Sequence, residues 1–174
     1  MISKTFRATP WCAPRTRGGS DVSPPTRWLD ADEQRAWRAF YTAATQLLDR
    51  LDRELQHDAG MPHAYYEILV VLSESPGRTR RMSELADLTR SSRSRLSHAV
   101  TKLEGRGWVR RRDCDDDKRG QFADLTEAGF AALEAAAPGH VETVRTHLFD
   151  PLTPEQIEQL RAISEAITAT LRRD

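Results

Sequence analysis

Cysteine is scarce in this sequence, and long apolar runs are missing. Only two cysteines, Cys12 and Cys114, occur among the 174 residues. They are too few for a disulfide framework, and neither has the CxxC or Cys/His spacing of a zinc site, so we expect free thiols. No apolar run reaches the roughly 18 residues that a membrane-spanning helix needs. The sequence therefore predicts no membrane partner and no metal site.

The first residues also lack the apolar stretch of a secretory signal, which predicts a cytoplasmic location. Residues 1–27 are instead rich in proline and glycine, and we interpret them as a mobile tail. Catalytic motifs are missing as well. The five histidines form no HExxH spacing, and neither GxSxG nor a glycine-rich phosphate loop occurs. We therefore expect no enzymatic activity and no cofactor.

Net charge is zero overall, but the charges are unevenly distributed. From Arg90 to Arg112 there are eight basic residues and a single acidic one, Glu104. From Thr126 onwards, eight acidic residues outnumber four arginines. A basic middle between acidic flanks is typical of a segment that contacts nucleic-acid phosphates while the rest of the chain keeps the protein in solution.

Periodicity and capping signals predict the order of the elements. Asp30 and Glu33 resemble a capping box ahead of a long helix that ends at Gly60. A second helix is expected from about Pro62 to Ser75. A short strand (78–81) and two helices joined by a tight turn (83–88 and 91–106) follow. After them come a hairpin of two strands (109–113 and 121–125) and two long helices with caps at Thr126 and Thr153 (126–148 and 154–171). Helix, turn, helix and hairpin is the winged helix-turn-helix order.

This order predicts a mostly α fold with a small β-wing. We expect a winged helix-turn-helix DNA-binding domain over 61–125 and a helical dimerisation region formed by 28–60 and 126–174. The last two helices carry apolar stripes that no further domain is left to cover, which predicts a homodimer interface. Pro138 is expected to kink or interrupt the penultimate helix.

The fourth helix presents two different faces. Leu96, Val100 and Leu103 point one way at about 100° per residue. The other face combines small hydroxyls with donors long enough to reach bases or phosphates in a DNA major groove. Its members are Ser91, Ser94, His98, Thr101 and Lys102, with Arg95 at its edge. Arg93 lies nearer the apolar side, where it braces the turn or reaches a phosphate. The alternative interpretation is an exposed basic face without a partner.

The hairpin loop contains acidic and basic residues side by side. A carboxylate orients a neighbouring guanidinium, so Asp117 is predicted to hold Arg119 for insertion into the narrow minor groove, next to Lys118. The alternative is an acidic loop that is merely solvated.

The stretch RMSELADLTRSSRSRLSHAVTKLEGRGWVRRRDCDDDKRGQFADLTEAG resembles the core of the MarR family of transcriptional regulators. Its most specific parts are SRSRLSH at 92–98, LEGRGWVRR at 103–111, DKR at 117–119 and LTEAG at 125–129. The resemblance implies a homodimer joined by the first, fifth and sixth helices, with the fourth helix in the major groove and the wing arginine in the minor groove. It also implies a transcriptional regulator that binds double-stranded DNA and more commonly acts as a repressor.

Together, the two lines of reasoning give a set of candidate DNA-binding residues. They are Ser91, Ser92, Arg93, Ser94, Arg95, Ser97, His98, Thr101, Lys102, Arg111, Asp117, Lys118 and Arg119. Relatives often carry glycine at the position of Arg90, where a non-glycine residue in a left-handed turn costs about 1 kcal/mol. We interpret this departure as a local change of the turn or as a phosphate contact by Arg90.

Family members often bind a small-molecule effector between the dimerisation and DNA-binding parts. The candidate residues for such a site are Trp37, Tyr41, His63, Tyr65 and Tyr66. Their positions suit ordinary core aromatics equally well. Two further alternatives are a winged-helix module that only dimerises or recruits protein, and a thiol redox switch through Cys114. The presence of Arg95, His98, Lys102 and Arg119 favours the DNA-binding regulator.

Overall fold

A computed structural model describes residues 26–113 and 120–171. Six α-helices and three strands account for most of these residues. The helices are α1 (Ala31–Ala59), α2 (His63–Ser73), α3 (Met82–Leu88), α4 (Arg93–Gly105), α5 (Glu127–Val144) and α6 (Pro154–Leu171). The strands are β1 (Thr79–Arg81), β2 (Val109–Asp113) and β3 (Gln121–Leu125). The predicted mostly α fold with a small β-wing is confirmed. Residues 1–25, which make up most of the predicted tail, lie outside the described ranges.

The three strands form one small antiparallel sheet in the order β1-β3-β2. In the β2–β3 hairpin, here called the wing, Val109 pairs with Leu125 and Asp113 with Gln121. Strand β1 pairs with the other edge of β3, where Thr79 is opposite Asp124. The tip of the wing lies outside the described residues, and with it Cys114, Asp117, Lys118 and Arg119.

Side-chain caps fix where the long helices begin. Asp30 accepts from the backbone N–H groups of Asp32 and Glu33, and the Glu33 carboxylate accepts from the Asp30 N–H in return. Thr126 caps α5 by accepting from the Gly129 N–H. Thr153 and Gln156 form the same reciprocal pair at α6. These caps satisfy N–H groups that have no partner inside their helices, so the predicted starts are confirmed.

The core lies between α2, α3, α4 and the sheet, and the end of α1 and the start of α5 close it. Leu69, Leu72, Leu85, Val100 and Leu103 are completely buried. In contrast, no residue of α1 before Leu51 is buried, and none of α6 is. Large apolar side chains are therefore exposed just before α1, along α1 and α6, and in the second half of α5: Trp28, Leu29, Trp37, Phe40, Tyr41, Leu48, Val141, Ile157, Ile163, Ile167 and Leu171.

Pro138 does not interrupt α5, which continues to Val144 and then passes into a wider turn over Arg145–Phe149. A proline has no N–H to donate to the carbonyl of the residue four positions earlier, which here is Glu134. Because Glu134 is exposed, water can replace that hydrogen bond. Of the two expected outcomes, a kink or an interruption, the interruption therefore does not occur.

The described ranges contain no helix long and apolar enough to cross a bilayer. They also contain no group of three or more His, Cys, Asp or Glu side chains placed to hold a metal ion.

Candidate nucleic-acid interface

A tight turn sets α4 against α3. Thr89 is buried, and its hydroxyl donates to the Leu85 carbonyl at 2.7 Å. The Ser91 N–H donates to the Ala86 carbonyl at 2.9 Å, which closes the turn. Between them Arg90 has φ 50°, the left-handed conformation that glycine adopts without cost. The structure therefore places an exposed arginine where a glycine would be less strained.

Two of the candidate serines have structural roles in this turn. Ser91 is half-buried, and its hydroxyl lies 3.4 Å from the Thr89 carbonyl. Ser92 is the N-cap of α4 and accepts from the Arg95 N–H at 3.3 Å. Ser92 also lies 3.2 Å from the Ser94 hydroxyl. These serines fix the start of α4.

The α4 helix buries one face and exposes the other. Leu96, Val100 and Leu103 are at most 1% exposed, as the apolar pattern predicts. The exposed side chains are Arg93, Ser94, Arg95, Ser97, His98, Thr101 and Lys102. The structure thus brings seven of the candidate residues onto one exposed surface.

On the side of α4 that faces the wing, Arg111 contacts three residues of the helix. Its Nη2 atom donates to the Ser97 carbonyl at 2.5 Å and to the Thr101 hydroxyl at 3.0 Å, and Nη1 lies 3.1 Å from Glu104. The Glu104 carboxylate also accepts from the Arg111 backbone N–H at 2.9 Å. The side chain of Arg111 is only 21% exposed. We call this side of α4, formed by Ser97, Thr101 and Glu104, the wing flank.

The opposite side of α4 faces the first turn of α2. Tyr65 lines an open groove of about 390 Å³ together with Ser94, Arg95, His98 and Ala99. Arg106, the C-cap of α4, places its guanidinium 5.8 Å from the centre of the Tyr65 ring. Arg95, Lys102 and Arg106 follow one another at helical spacing along this side, and we call this row the α2 flank.

A second groove, of about 420 Å³, separates the start of α4 from the wing. Arg93, Ser97, Arg81, Ser83 and Gln121 are among its lining residues. Arg93 therefore points to the wing side and not to the centre of the exposed face, in agreement with its predicted place near the apolar side.

The outer face of the wing carries an ion cluster centred on Asp124. Its carboxylate accepts from the Thr79 hydroxyl at 2.9 Å and lies 3.4 Å from Arg110 and 3.3 Å from Arg112. Burial opposes ionisation of this carboxyl, but the hydrogen bonds and the charge of Arg112 outweigh burial and lower its pKa. Arg112 also stacks on Phe122. Asp124 therefore stays ionised and holds the two arginines against the sheet.

The five effector candidates do not line one cleft within the chain. Trp37 and Tyr41 contact each other in the exposed first half of α1, with ring centres 5.6 Å apart. The other three, His63, Tyr65 and Tyr66, lie at the start of α2, which follows the opposite end of α1. Tyr66 is 8% exposed and packs on His140, whereas the groove that Tyr65 lines contains none of the other four.

His63 and His140 lie next to each other where α2 meets α5, with ring centres 5.7 Å apart. Burial lowers the pKa of His140, and the neighbouring His63 lowers it further. This pair and Tyr66 form part of the packing that joins the core to α5.

Sequence reasoning missed three contributors to this region: Glu104, Arg106 and Tyr65 as a neighbour of α4. For Glu104 a signal existed, because it is the one acidic residue between Arg90 and Arg112. A lone carboxylate in such a segment is best stabilised by a partner within the fold. The positions of Arg106 and Tyr65 depend on how α2 packs against α4, which local patterns do not contain.

Known proteins resemble this chain in both fold and sequence. The family model described as the MarR family matches residues 59–120. Sco3205 from Streptomyces coelicolor, a MarR family transcriptional regulator solved in complex with DNA, is 57% identical; the match covers 84% of this chain and 92% of Sco3205, with a TM-score of 0.81. AbsC, a MarR family regulator from the same organism, is 44% identical over 86% of this chain and 100% of AbsC, with a TM-score of 0.80.

A curated relative is more distant. The transcriptional repressor MprA of Escherichia coli (strain K12) is 27% identical over 127 residues, which cover 73% of this chain and 71% of MprA. The high identity to Sco3205 and AbsC over nearly their whole lengths, with the same winged-helix fold, agrees with the resemblance seen in the sequence. The chain therefore belongs to the MarR family of transcriptional regulators.

Proposed function

We propose that this protein is a sequence-specific DNA-binding regulator that acts as a homodimer on a pseudo-palindromic duplex in the cytoplasm. The exposed face of α4 carries this proposal. It presents hydroxyls and cations without a carboxylate, and these are the groups that hydrogen-bond to base edges and phosphates of a major groove. Glu104, the acidic residue of α4, is engaged by Arg111 on the wing flank.

The exposed apolar side chains of α1, α5 and α6 support a dimer. Trp37, Phe40 and Tyr41 are each more than half exposed, and α6 buries none of its residues within the chain. Apolar surface of this extent is rarely left in water. We therefore assign 28–60 and 126–174 to a dimerisation region and 61–125 to the DNA-binding domain.

Within the DNA-binding domain, we assign different roles to different parts of the α4 surface. Ser94 and His98 lie near the middle of the exposed face and are proposed to contact bases. Arg95 and Lys102 lie on the α2 flank and are proposed to contact phosphates. Ser91 and Ser92 shape the turn in this assignment, and Arg111 positions the helix. The proposed insertion of Arg119 into the minor groove, held by Asp117, rests on the sequence alone.

Repression is the proposed outcome of binding, because a dimer seated on a promoter competes with the transcription machinery. The relative MprA is a transcriptional repressor, which supports repression as the outcome. We also propose that a small-molecule effector modulates binding. Among the effector candidates, the exposed pair Trp37 and Tyr41 lies on the proposed dimerisation surface, where a ligand would couple dimer geometry to DNA binding.

Dimeric binding through phosphates predicts a strong dependence on salt. Each protomer brings several cations to DNA, and release of condensed counterions lowers log K by about 0.9 per phosphate for each unit of log salt. Selection from random duplexes should yield sites with two-fold symmetry, whose half-sites lie roughly 10 bp apart. Fluorescence anisotropy between low and moderate salt checks the slope. A selected site without symmetry, or affinity that does not change with salt, would contradict the proposal.

The proposed base and phosphate contacts predict opposite behaviour for two exposed residues of α4. His98→Ala should change which duplex is preferred, because a base-edge contact is worth about 1–3 kcal/mol of discrimination. Lys102→Ala should weaken all duplexes by a similar factor and reduce the salt slope by about 1 per protomer. Affinities for a selected site and its single-base variants provide the measurement. If both variants lose affinity uniformly, the assignment of His98 to a base is wrong.

A further inference from the structure

The first turn of α2 lies beside the exposed face of α4. Tyr65 forms one wall of the groove whose other wall is Ser94, Arg95, His98 and Ala99. Anything that approaches His98 and Arg95 from this side also meets the edge of Tyr65. The groove is therefore continuous with the surface to which the DNA-binding role is assigned.

Tyr65 combines a ring that packs against the protein with a hydroxyl that is available to a ligand. Its half-buried ring packs against the core, and Arg106 lies over the ring while donating to the Gly60 carbonyl at 3.0 Å. The hydroxyl makes no hydrogen bond to any residue in the described part of the chain. A tyrosine with a fixed ring and a free hydroxyl offers a donor in a defined position at little entropic cost.

The charges around this groove favour an anion. Arg95 lines the groove, the Arg106 guanidinium lies 5.8 Å from the centre of the Tyr65 ring, and no carboxylate is among the residues that line the groove. A major groove is bordered by one phosphate backbone on each side. When α4 lies in the groove, the α2 flank faces one of these backbones.

We propose that Tyr65 donates a hydrogen bond to the phosphate backbone that borders the major groove on the α2 flank, and so fixes the depth and rotation of α4. This inference rests on the proposed DNA-binding function and deepens it. It moves Tyr65 from the effector candidates to the DNA interface and makes the start of α2 a third DNA-contacting element beside α4 and the wing. Because the hydroxyl is neutral, its contact contributes affinity without counterion release.

Tyr65→Phe tests the proposal because it removes the hydroxyl and keeps the ring. Loss of a hydrogen bond to a charged partner should weaken binding about tenfold per protomer. The loss should be similar for all duplexes, with an unchanged salt slope. Tyr66→Phe is the matched control, since it removes the same atom from the neighbouring residue that faces the core, and it should bind like the wild type. Unchanged thermal melting of both variants shows that neither alters the fold.

Phosphate ethylation interference locates the contact. In the wild type, ethylation of one phosphate in each half-site should weaken binding, and this interference should disappear in Tyr65→Phe while other positions keep theirs. Equal affinity of Tyr65→Phe and wild type would overturn the inference, and so would an unchanged interference pattern. If the wild type binds no duplex at all, the proposed function itself fails.

Discussion

Replacing Gly129 with alanine is expected to destabilise the protein by about 3 kcal/mol or more. Gly129 is buried in the first turn of α5, where an added Cβ would lie 2.1 Å from the Trp108 carbonyl oxygen and 2.8 Å from its carbon. Backbone atoms cannot rotate away as a side chain does. The same carbonyl accepts from the Thr126 N–H at 3.0 Å, so moving α5 away also breaks the hydrogen bond that ties the start of this helix to Trp108.

The expected loss of stability is opposite in sign to the usual effect of this substitution. A glycine to alanine change inside a helix ordinarily stabilises by up to about 1 kcal/mol. Gly139→Ala provides the matched control in the same helix, because its Cβ would meet only Asp58 Oδ2, at 3.7 Å. We expect this control to melt at or slightly above the wild-type temperature and Gly129→Ala to melt roughly 6–12 °C lower. Circular dichroism at fixed protein concentration measures both. A Gly129→Ala melting temperature equal to that of the wild type would refute the close packing.

Local signals were sufficient to predict most of the fold. Helix starts depend on a side chain and the backbone two or three residues later, and Asp30, Thr126 and Thr153 all cap as predicted. The strands 109–113 and 121–125 alternate between core and solvent within a short hairpin, so their bounds also follow from nearby residues. The interruption expected as one outcome at Pro138 does not occur, because Glu134 is exposed and water can replace the missing hydrogen bond.

The candidate site was less predictable, because its contacts join elements that are distant in sequence. The exposed row of α4 follows from helical spacing alone, and it was predicted correctly as a surface. The direction of the Arg111 side chain was not predictable, since it depends on how β2 packs against the wing flank. Tyr65 likewise lies beside α4 only because α2 packs next to that helix, although the two are some 30 residues apart in the chain. Contacts of this kind follow from tertiary packing and not from periodicity.

Replacing Arg111 with alanine is expected to reduce specific DNA affinity by about 100-fold while leaving non-specific binding nearly unchanged. The sequence marks Arg111 as a DNA-contacting residue, but its guanidinium is engaged by Ser97, Thr101 and Glu104. Loss of the guanidinium removes its contacts with the wing flank of α4 and leaves Glu104 with only the backbone N–H of residue 111. Each charged hydrogen bond lost costs about 1–3 kcal/mol. The core side chains Leu96, Val100 and Leu103 still hold α4, but the helix is held less firmly on the side of the wing. Ser94 and His98 then meet the bases over a wider range of orientations, so discrimination falls.

Arg111→Lys separates this positioning role from a phosphate contact. A lysine keeps the charge but cannot reproduce the planar fork that reaches the Ser97 carbonyl, the Thr101 hydroxyl and Glu104 together. If Arg111 positions the helix, the lysine variant should lose specificity almost as the alanine variant does. If Arg111 contacts a phosphate, lysine should restore most of the affinity, and alanine should lower the salt slope by about 1 per protomer.

Arg112→Ala is the charge-matched control for both variants. Arg112 is the next residue of β2, its side chain lies on the outer face of the wing, and it contacts Asp124 and Phe122 instead of α4. Its removal deletes the same charge at nearly the same place, so any general electrostatic loss appears in both alanine variants. The ratio of specific to non-specific affinity should then fall for Arg111→Ala and stay unchanged for Arg112→Ala. Equal ratios in the two variants would show that Arg111 acts by charge alone and that the contacts on the wing flank do not set how α4 meets the bases.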